Sequence, residues 1–354
     1  MTITINNHRI LPMQPGSAAG FSLIELMVAL VLGALVVLGV VSVFLGNRTT
    51  SDVTNKVGQI QQANQVTFQL LARDLQHAGF VGCNNFRHDK VRNLLNNPQN
   101  QWWSNWETGI RPIEQGKDVG YIAMPANVTR DPSSDAVVLM FARGTPVSVQ
   151  NHDVANNNIT LVHNDIGLVN GEFVIACDAM ATVLFQITEL TKVANQAKAI
   201  TIKHGITTTP APGNASNLFG SGVNGAPVQQ RLSQDSALVY PFESIAWYIG
   251  ETDDPTSKAT PKAKIKNLYR AMRIGTQVQH EEVISGVESM QLTYLAHPNV
   301  SYVNGDNNSV SGVNTRNINA VKIVLTQRNT TQDDLAQGLR TLSLVINVRN
   351  DRRI

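Results

Sequence analysis

The sequence predicts an α+β protein, in which one long amino-terminal helix packs on a globular part made of two antiparallel β-sheets. Three observations support this prediction. An apolar run covers residues 21–45, a polar segment with apolar residues at helical spacing continues it to residue 79, and about ten short runs rich in β-branched residues follow. A helix and many strands in separate parts of the chain are typical of this fold class.

The apolar run reads "GFSLIELMVALVLGALVVLGVVSVFL" and begins at Gly20. Residues 26–45 carry no charge, and fourteen of them are Leu, Val or Phe. As a helix, residues 21–45 would extend roughly 37 Å, which exceeds the hydrocarbon core of a bilayer at about 30 Å. Those apolar residues favour insertion by about 4 to 8 kcal/mol, against about 3 kcal/mol for one charge. The run therefore predicts a membrane-spanning helix, although insertion does not explain why Glu25 lies in its first turns.

Two interpretations of Glu25 are open on its chemistry alone. An ionisable group inside a membrane segment usually has a partner there and a function. Alternatively, the carboxylate reaches the headgroup region, because it lies near the end of the segment. A secretory signal peptide fits poorly, because the apolar core is too long and no clear small-residue cleavage pattern follows it.

Gly20, Phe21 and Glu25, followed by the apolar helix in "GFSLIELMVAL", resemble the class III signal of type IV prepilins and pseudopilins. The resemblance implies that a prepilin peptidase cuts between Gly20 and Phe21, that Phe21 becomes the N-methylated terminus, and that residues 1–20 are a leader. It also implies that Glu25 pairs with the Phe21 amine of a neighbouring subunit in a filament core. Such a buried pair would set the register of the subunits more than their stability.

Residues 46–79 predict an amphipathic continuation of the same helix. Their apolar stripe has spacings of three and four, typical of one helix face, and consists of Val53, Val57, Ile60, Asn64, Thr67, Leu71, Leu75 and Ala78. Gly79 is a candidate C-cap. We expect the stripe to pack against a sheet, so that the helix runs from Phe21 to Ala78 and residues 80–354 form the β-rich domain.

The β-strands are predicted from runs rich in Val, Ile, Thr and aromatic residues, bounded by Asn, Gly and Asp. They lie at 135–143, 158–163, 171–178, 182–190, 199–205, 244–250, 267–274, 286–295, 319–328 and 340–350. Long irregular stretches are expected near 84–133, 206–235, 251–265 and 296–316. The first of these contains Trp102, Trp103 and Trp106, which are either a surface for a partner or buried anchors of the loop.

Several later phrases resemble the PilW-type minor pilins of type IV pili: "LARDLQHAGFVGC", "AWYIG" with "NLYRAMRI", "EEVISGVESMQLTYL", "NAVKIVLTQR" and "TLSLVINVRN". The resemblance implies a single-pass protein of the bacterial inner membrane whose carboxy-terminal domain is periplasmic, and which then enters the pilus near its tip. The implied partners are other minor pilins, the major pilin, the prepilin peptidase and N-methyltransferase, and the inner-membrane assembly platform. J-type minor pseudopilins of type II secretion share this plan and are the alternative, ahead of a membrane-anchored adhesin.

In the oxidising compartment that this implies, Cys83 and Cys177 could form a disulfide, and the alternative is two buried thiols. The 28 Lys and Arg residues nearly balance the 26 Asp and Glu residues, so charge gives no case for nucleic-acid binding. The sequence has no H-E-x-x-H, G-x-S-x-G or C-x-x-C, and its eight histidines show no ligand spacing. We therefore expect neither an enzyme nor a cofactor or metal site.

Overall fold

The computed structural model describes residues 20, 22–83, 91–106, 109–117, 122, 124–222, 224, 226–234, 236–255, 257–274, 277–296, 301–306, 309–310, 318–328 and 339–348. The first element is the helix α1, Leu23–His77. The chain divides into two units, Met1–Ile60 and Gln61–Ile354, and the division falls inside α1. The predicted long helix is thus present, and its described start is two residues later than expected.

The remaining regular elements are strands and one 3-10 turn at Pro98–Asn100. In chain order the described strands are β1 Val91–Asn93, β2 Ile110–Ile113, β3 Thr129–Arg130, β4 Ala136–Ala142, β5 Val147–Asp153, β6 Asn158–Leu161, β7 Phe173–Cys177, β8 Thr182–Gln186, β9 Glu189–Lys192, β10 Ile200–Lys203, β11 Gly220–Ser221, β12 Pro227–Val228, β13 Leu238–Asp253, β14 Lys264–Ile274, β15 Gln277–Ser285, β16 Val287–Ala296, β17 Val303–Asp306, β18 Ser309–Val310, β19 Ile318–Arg328 and β20 Leu339–Asn347.

Within the described residues, thirteen strands form a main sheet and five form a second sheet, in the order β18-β17-β16-β19-β20. In the main sheet, β13 pairs antiparallel with β14 along one edge and with β4 along the other, while its first residues pair with β5 and β7. Antiparallel pairing dominates, as predicted for this α+β fold. Two details differ from the prediction. Strand β1 runs parallel to β8, and a separate two-stranded ribbon is formed by β11 and β12.

Strands β4 and β13 are buried on both faces, which explains why "AVVLMFA" is continuously apolar instead of alternating. Along β4, Val137, Leu139 and Phe141 enter a core shared with the second sheet and the end of α1. The intervening Val138 and Met140 enter a second core on the other face. The side chains of successive strand residues point to opposite faces, so one strand serves two cores.

The last turns of α1 are fixed to the main sheet by a buried carboxylate. Asp74 is 1% exposed and Arg270 is 5% exposed. The Arg270 guanidinium donates from Nε to Asp74 Oδ2 at 2.7 Å and from Nη2 to Oδ1 at 3.1 Å. Trp247, which is the direct cross-strand neighbour of Arg270, donates its indole N–H to Oδ2 at 3.1 Å. Two oxygens therefore accept three hydrogen bonds from two strands.

A second polar contact lies ten residues earlier on the same helix. The amide of Asn64 donates to Gln327 Oε1 at 3.1 Å, and the amide of Gln327 donates back to Asn64 Oδ1. Leu71 lies between the two polar contacts in sequence, Leu75 directly follows Asp74, and both leucines are fully buried. The helix ends before Gly79, whose φ of 77° is the left-handed conformation expected of a C-cap glycine.

Ser134 and Asp135, at the start of β4, join the two sheets. The backbone N–H of Asp135 donates to the Met290 carbonyl at 2.9 Å, and its carboxylate accepts from the Leu292 N–H at 2.7 Å. The Ser134 hydroxyl accepts from the Met290 N–H at 3.3 Å. Burial raises the pKa of Asp135 above its usual range. Backbone groups of β16 are thereby paired across the junction between the sheets.

The ten predicted strand positions all overlap observed strands, but the prediction missed β5 and β15. Both carry many polar residues, and β15 includes His280, Glu281 and Glu282. Strand β15 is an outer strand exposed along much of its length, so it lacks the apolar enrichment by which strands are recognised. The stretches expected to be irregular also contain short strands, including β2 and β17.

We predict that Asp74→Asn lowers the free energy of unfolding by about 3 to 5 kcal/mol, because it leaves the Arg270 charge buried without its carboxylate. Denaturation of the full chain in detergent, followed by tryptophan fluorescence, measures this, since all four tryptophans are buried. The matched control is Glu288→Gln. Its ion pair with Arg328, at 2.8 Å, involves an arginine side chain that is 56% exposed, so the loss should stay below about 1 kcal/mol. Equal losses in the two variants would contradict the assigned role of Asp74.

Candidate functional site

The amino-terminal end of α1 is capped by Ser22. Its hydroxyl accepts a hydrogen bond from the Glu25 backbone N–H at 3.3 Å, and its carbonyl accepts from the N–H groups of Glu25 and Leu26. Serine at this position satisfies a backbone donor that the helix leaves unpaired. The Glu25 side chain lies in the first turn, where a carboxylate interacts favourably with the helix dipole.

Gly20 is exposed, and a Cβ atom built on it would meet no atom within 4 Å. The fold of the described residues therefore does not require glycine at this position. Phe21 and residues 1–19 lie outside the described residues, so the predicted leader and the methylated terminus remain predictions. So does the pairing of Glu25 with a neighbouring amine.

The part of α1 that follows Glu25 is apolar on all sides and exposed. The large apolar side chains of residues 23–45 are between 46% and 79% exposed. Among the described residues, α1 is the one helix that is long and apolar enough to cross a membrane. Exposed apolar surface of this extent marks contact with lipid or with other proteins. The helix and the prepilin-type signal together indicate membrane anchoring.

Cys83 and Cys177 are joined in a disulfide with a Cα–Cα distance of 5.8 Å and a sequence separation of 94. This is the first of the two alternatives that the sequence left open. Cys177 ends β7 and is fully buried, while Cys83 follows α1 by six residues. The bridge therefore ties the segment just after the helix to the middle of the main sheet.

The tryptophan-rich loop is a buried anchor, the second of its two interpretations. Trp102, Trp103 and Trp106 are all less than 9% exposed. The ring of Trp103 packs against Phe173 with centroids 4.8 Å apart, and the Arg273 guanidinium lies 3.6 Å from the Trp103 centroid. A cation over an aromatic face is attracted to it, and burial lowers the pKa of Arg273 to about 10.

The fold also pairs two histidines that sequence spacing does not connect. His152 on β5 and His204 after β10 are each 1% exposed, with their Nε2 atoms 3.1 Å apart. The Leu232 backbone N–H donates to His152 Nδ1 at 3.0 Å, so His152 carries its proton on Nε2 and donates it to His204. His204 is then protonated on Nδ1, which has no hydrogen-bond partner in the described structure.

Both imidazoles of this pair are neutral near neutral pH. Burial lowers the pKa of His152 to about 4, and Arg231 contributes to the shift. Burial and the neighbouring His152 lower the pKa of His204 to about 3. Two nitrogens at this distance could begin a metal site, but no group of three or more His, Cys, Asp or Glu is suited to a metal within the described residues.

Comparison with known protein families gives a match for one part of the chain. Residues 16–41 match the family described as Prokaryotic N-terminal methylation motif. The match includes Gly20, Phe21 and Glu25, and implies processing by a prepilin peptidase and contact with membrane assembly machinery. No curated protein and no solved structure matches the chain. The chain therefore carries a prepilin-type amino terminus, as a type IV pilin-like or pseudopilin protein does.

We predict that Gly20→Val blocks removal of residues 1–20, because a peptidase site built for glycine would reject the added side chain. The unprocessed form should accumulate in the membrane and be resolved from the mature form by gel mobility and intact mass. Gly58→Val is the control, since a Cβ there also meets no atom within 4 Å, and it should be processed normally. Normal maturation of the Gly20→Val chain would refute the assigned cleavage site.

We further predict that the folded chain loses stability as the pH falls from about 6.5 to about 4. The unfolded chain protonates its histidines near 6.5, whereas the folded pair stays neutral until the pH reaches about 4 and about 3. Each such proton contributes a slope of about 1.4 kcal/mol per pH unit. Denaturation curves measured between pH 7 and 4 give the free energy of unfolding at each pH. The slope of this free energy against pH should be smaller by that amount in His204→Gln. Equal slopes in His204→Gln and in the wild-type chain would contradict the prediction.

Proposed function

We propose that this protein is a minor pilin that helps to initiate type IV pilus assembly, in a tip complex with other minor pilins. The observation that supports the proposal most directly is the prepilin-type signal at residues 16–41, of which residues 23–41 lie in the apolar part of the helix α1. In this proposal the protein is not an enzyme. It acts through packing of its helix among other pilin helices.

The size of the folded unit supports a minor role. Within the described residues, strands β1 to β20 and the end of α1 make two sheets and a two-stranded ribbon, with three buried cores. A subunit with so much surface is better suited to a position that occurs only once or a few times in a filament than to one that is repeated along its length. The disulfide agrees with a domain that folds in an oxidising compartment.

Deletion of the encoding gene tests the proposal against its alternative. A minor pilin should be required for surface pili, counted by electron microscopy, and expression of the gene in trans should restore them. Loss of secreted enzymes with normal piliation would instead identify a J-type pseudopilin of type II secretion. Loss of adhesion with normal pili and normal secretion would favour the anchored adhesin.

We predict that Glu25→Gln yields a processed, inserted and folded protein that is recruited poorly into the filament. If Glu25 pairs with the Phe21 amine of a neighbour, the amide leaves that ammonium unpaired in an apolar core. Removing one member of a buried pair costs roughly 3 to 5 kcal/mol, which lowers an association constant by about 10²- to 10³-fold. Few or no pili should form in cells that lack the wild-type gene.

The control is Asp52→Asn, which makes the same carboxylate-to-amide change on an exposed residue of α1 beyond the apolar run. That variant should restore normal piliation. If Glu25 only reached the headgroups, the glutamine would serve as well. Wild-type piliation by the Glu25→Gln strain would therefore reject the pairing.

A further inference from the structure

A pocket of about 160 Å³ lies where the two sheets meet, within the folded unit of residues 61–354. Its lining comes from the segment after β2, the start of β4, and the paired strands β16 and β17. The lining residues are Glu114, Gln115, Asp135, Gln291, Leu292, Thr293 and Asn304. The Asp135 carboxylate accepts from the Gln115 N–H at 2.9 Å and from the Leu292 N–H at 2.7 Å. Asp135 therefore holds the other two parts of the lining together.

Most polar side chains of this pocket have no partner in the part of the chain that the structure describes. Neither a hydrogen bond nor an ion pair is made there by the side chains of Glu114, Gln115, Gln291, Thr293 and Asn304. Glu114 and Thr293 are half-buried, and the three amide side chains are exposed. A ligand could therefore bind these groups without breaking any contact within the described chain.

The lining contains two carboxyl groups, those of Glu114 and Asp135, and no basic group. Burial raises the pKa of Asp135, while two backbone N–H groups and the charge of Arg130 act in the opposite direction. Arg130 does not line the pocket, and neither does Lys322, which pairs with Thr293 across β16 and β19. A half-buried carboxylate without a partner attracts positive charge. The pocket is therefore suited to a cation.

The size of the pocket and its hydrogen-bonding groups select among cations. A volume of 160 Å³ is about five times the roughly 30 Å³ that one water molecule takes up in the liquid. A single metal ion would leave most of it unfilled, and no group of three or more His, Cys, Asp or Glu is suited to a metal within the described residues. A guanidinium has five N–H donors in one plane and no acceptor, and it can donate in pairs to a carboxylate. It is also more weakly hydrated than an ammonium, so it suits a pocket lined by acceptors on several sides.

We propose that this pocket binds a guanidinium group, with the Glu114 carboxylate as its main partner. The amide oxygens and the Thr293 hydroxyl are further acceptors, and Asp135 adds negative charge while it stays bound to its two backbone donors. A free small molecule and an arginine side chain of another protein present the same donors, and the experiment distinguishes them. The proposal concerns the folded unit of residues 61–354, so it stands or falls independently of the roles of Gly20 and Glu25.

The test uses the full chain in zwitterionic detergent micelles, with methylguanidinium chloride as the probe. Saturation-transfer NMR should detect contact of its methyl protons with the protein, above the signal from empty micelles. Methylurea has a similar shape without the charge and should bind at least tenfold more weakly, and methylammonium at least threefold more weakly. The peptide acetyl-Gly-Arg-Gly-amide distinguishes the two sources. Tighter binding than that of methylguanidinium indicates an arginine side chain of a protein, and weaker binding indicates a free small molecule.

Three variants locate the binding. Glu114→Gln should weaken methylguanidinium binding at least fivefold, whereas Asn304→Asp adds a carboxyl group of nearly the same shape and should tighten it at least twofold, which a loss of folding could not do. The control Glu189→Gln removes an exposed carboxylate that pairs with Lys203 outside the pocket and should leave binding unchanged. Three results would overturn the proposal. They are a methylguanidinium signal no greater than that of empty micelles, equal binding of methylurea, and equal effects of Glu114→Gln and Glu189→Gln.

Discussion

The Asp74 carboxylate is the contact on which the folded unit most depends, because it joins the helix to two neighbouring strands of the main sheet, β13 and β14. Transferring a carboxylate and a guanidinium out of water costs several kcal/mol for each ion. Here the cost is offset by a two-point contact with Arg270 and by the Trp247 indole. A displacement of the helix by one residue would break all three hydrogen bonds and leave the charges buried. The arrangement therefore stabilises one register of helix on sheet and strongly disfavours the alternatives.

The contact of Asp74 with Trp247 and Arg270 also relates the end of α1 to the two cores on either face of β13 and β14. Trp247 and Arg270 face each other across β13 and β14, so binding both to Asp74 directs one face of the main sheet toward the end of α1. The second sheet closes the same core from the other side, with Met290, Leu292 and Ile323. The opposite face of the main sheet is then free to pack on the tryptophan-rich loop and the disulfide. The polar contact thus lies on the face of β13 and β14 whose apolar residues enter the core shared with α1.

The sequence was sufficient to predict the helix, its apolar stripe, its glycine cap and most strands, because these follow from local periodicity. Thr67, Leu71 and Leu75 are buried as the stripe predicted. The sequence could not identify Asp74 as a buried residue, since one aspartate on a polar helix face looks like any solvated charge. It likewise could not connect His152 with His204. His152 lies on β5 and His204 directly follows β10, and only the pairing of β5 and β10 with β6 brings them together.

The candidate site shows the same division between local and long-range information. Gly20, Phe21 and Glu25 could be proposed as site residues from the sequence because the prepilin-type signal is a short linear segment. The position of β20 in its sheet was not predicted, because a sequence does not tell which strand is outermost. The clean alternation of residues 340–348 predicted a strand with one buried face, and that prediction is correct. Its edge position emerges from the order of the whole second sheet. A linear signal can therefore be read from the chain directly, whereas the position of a strand in its sheet depends on a topology that local patterns do not specify.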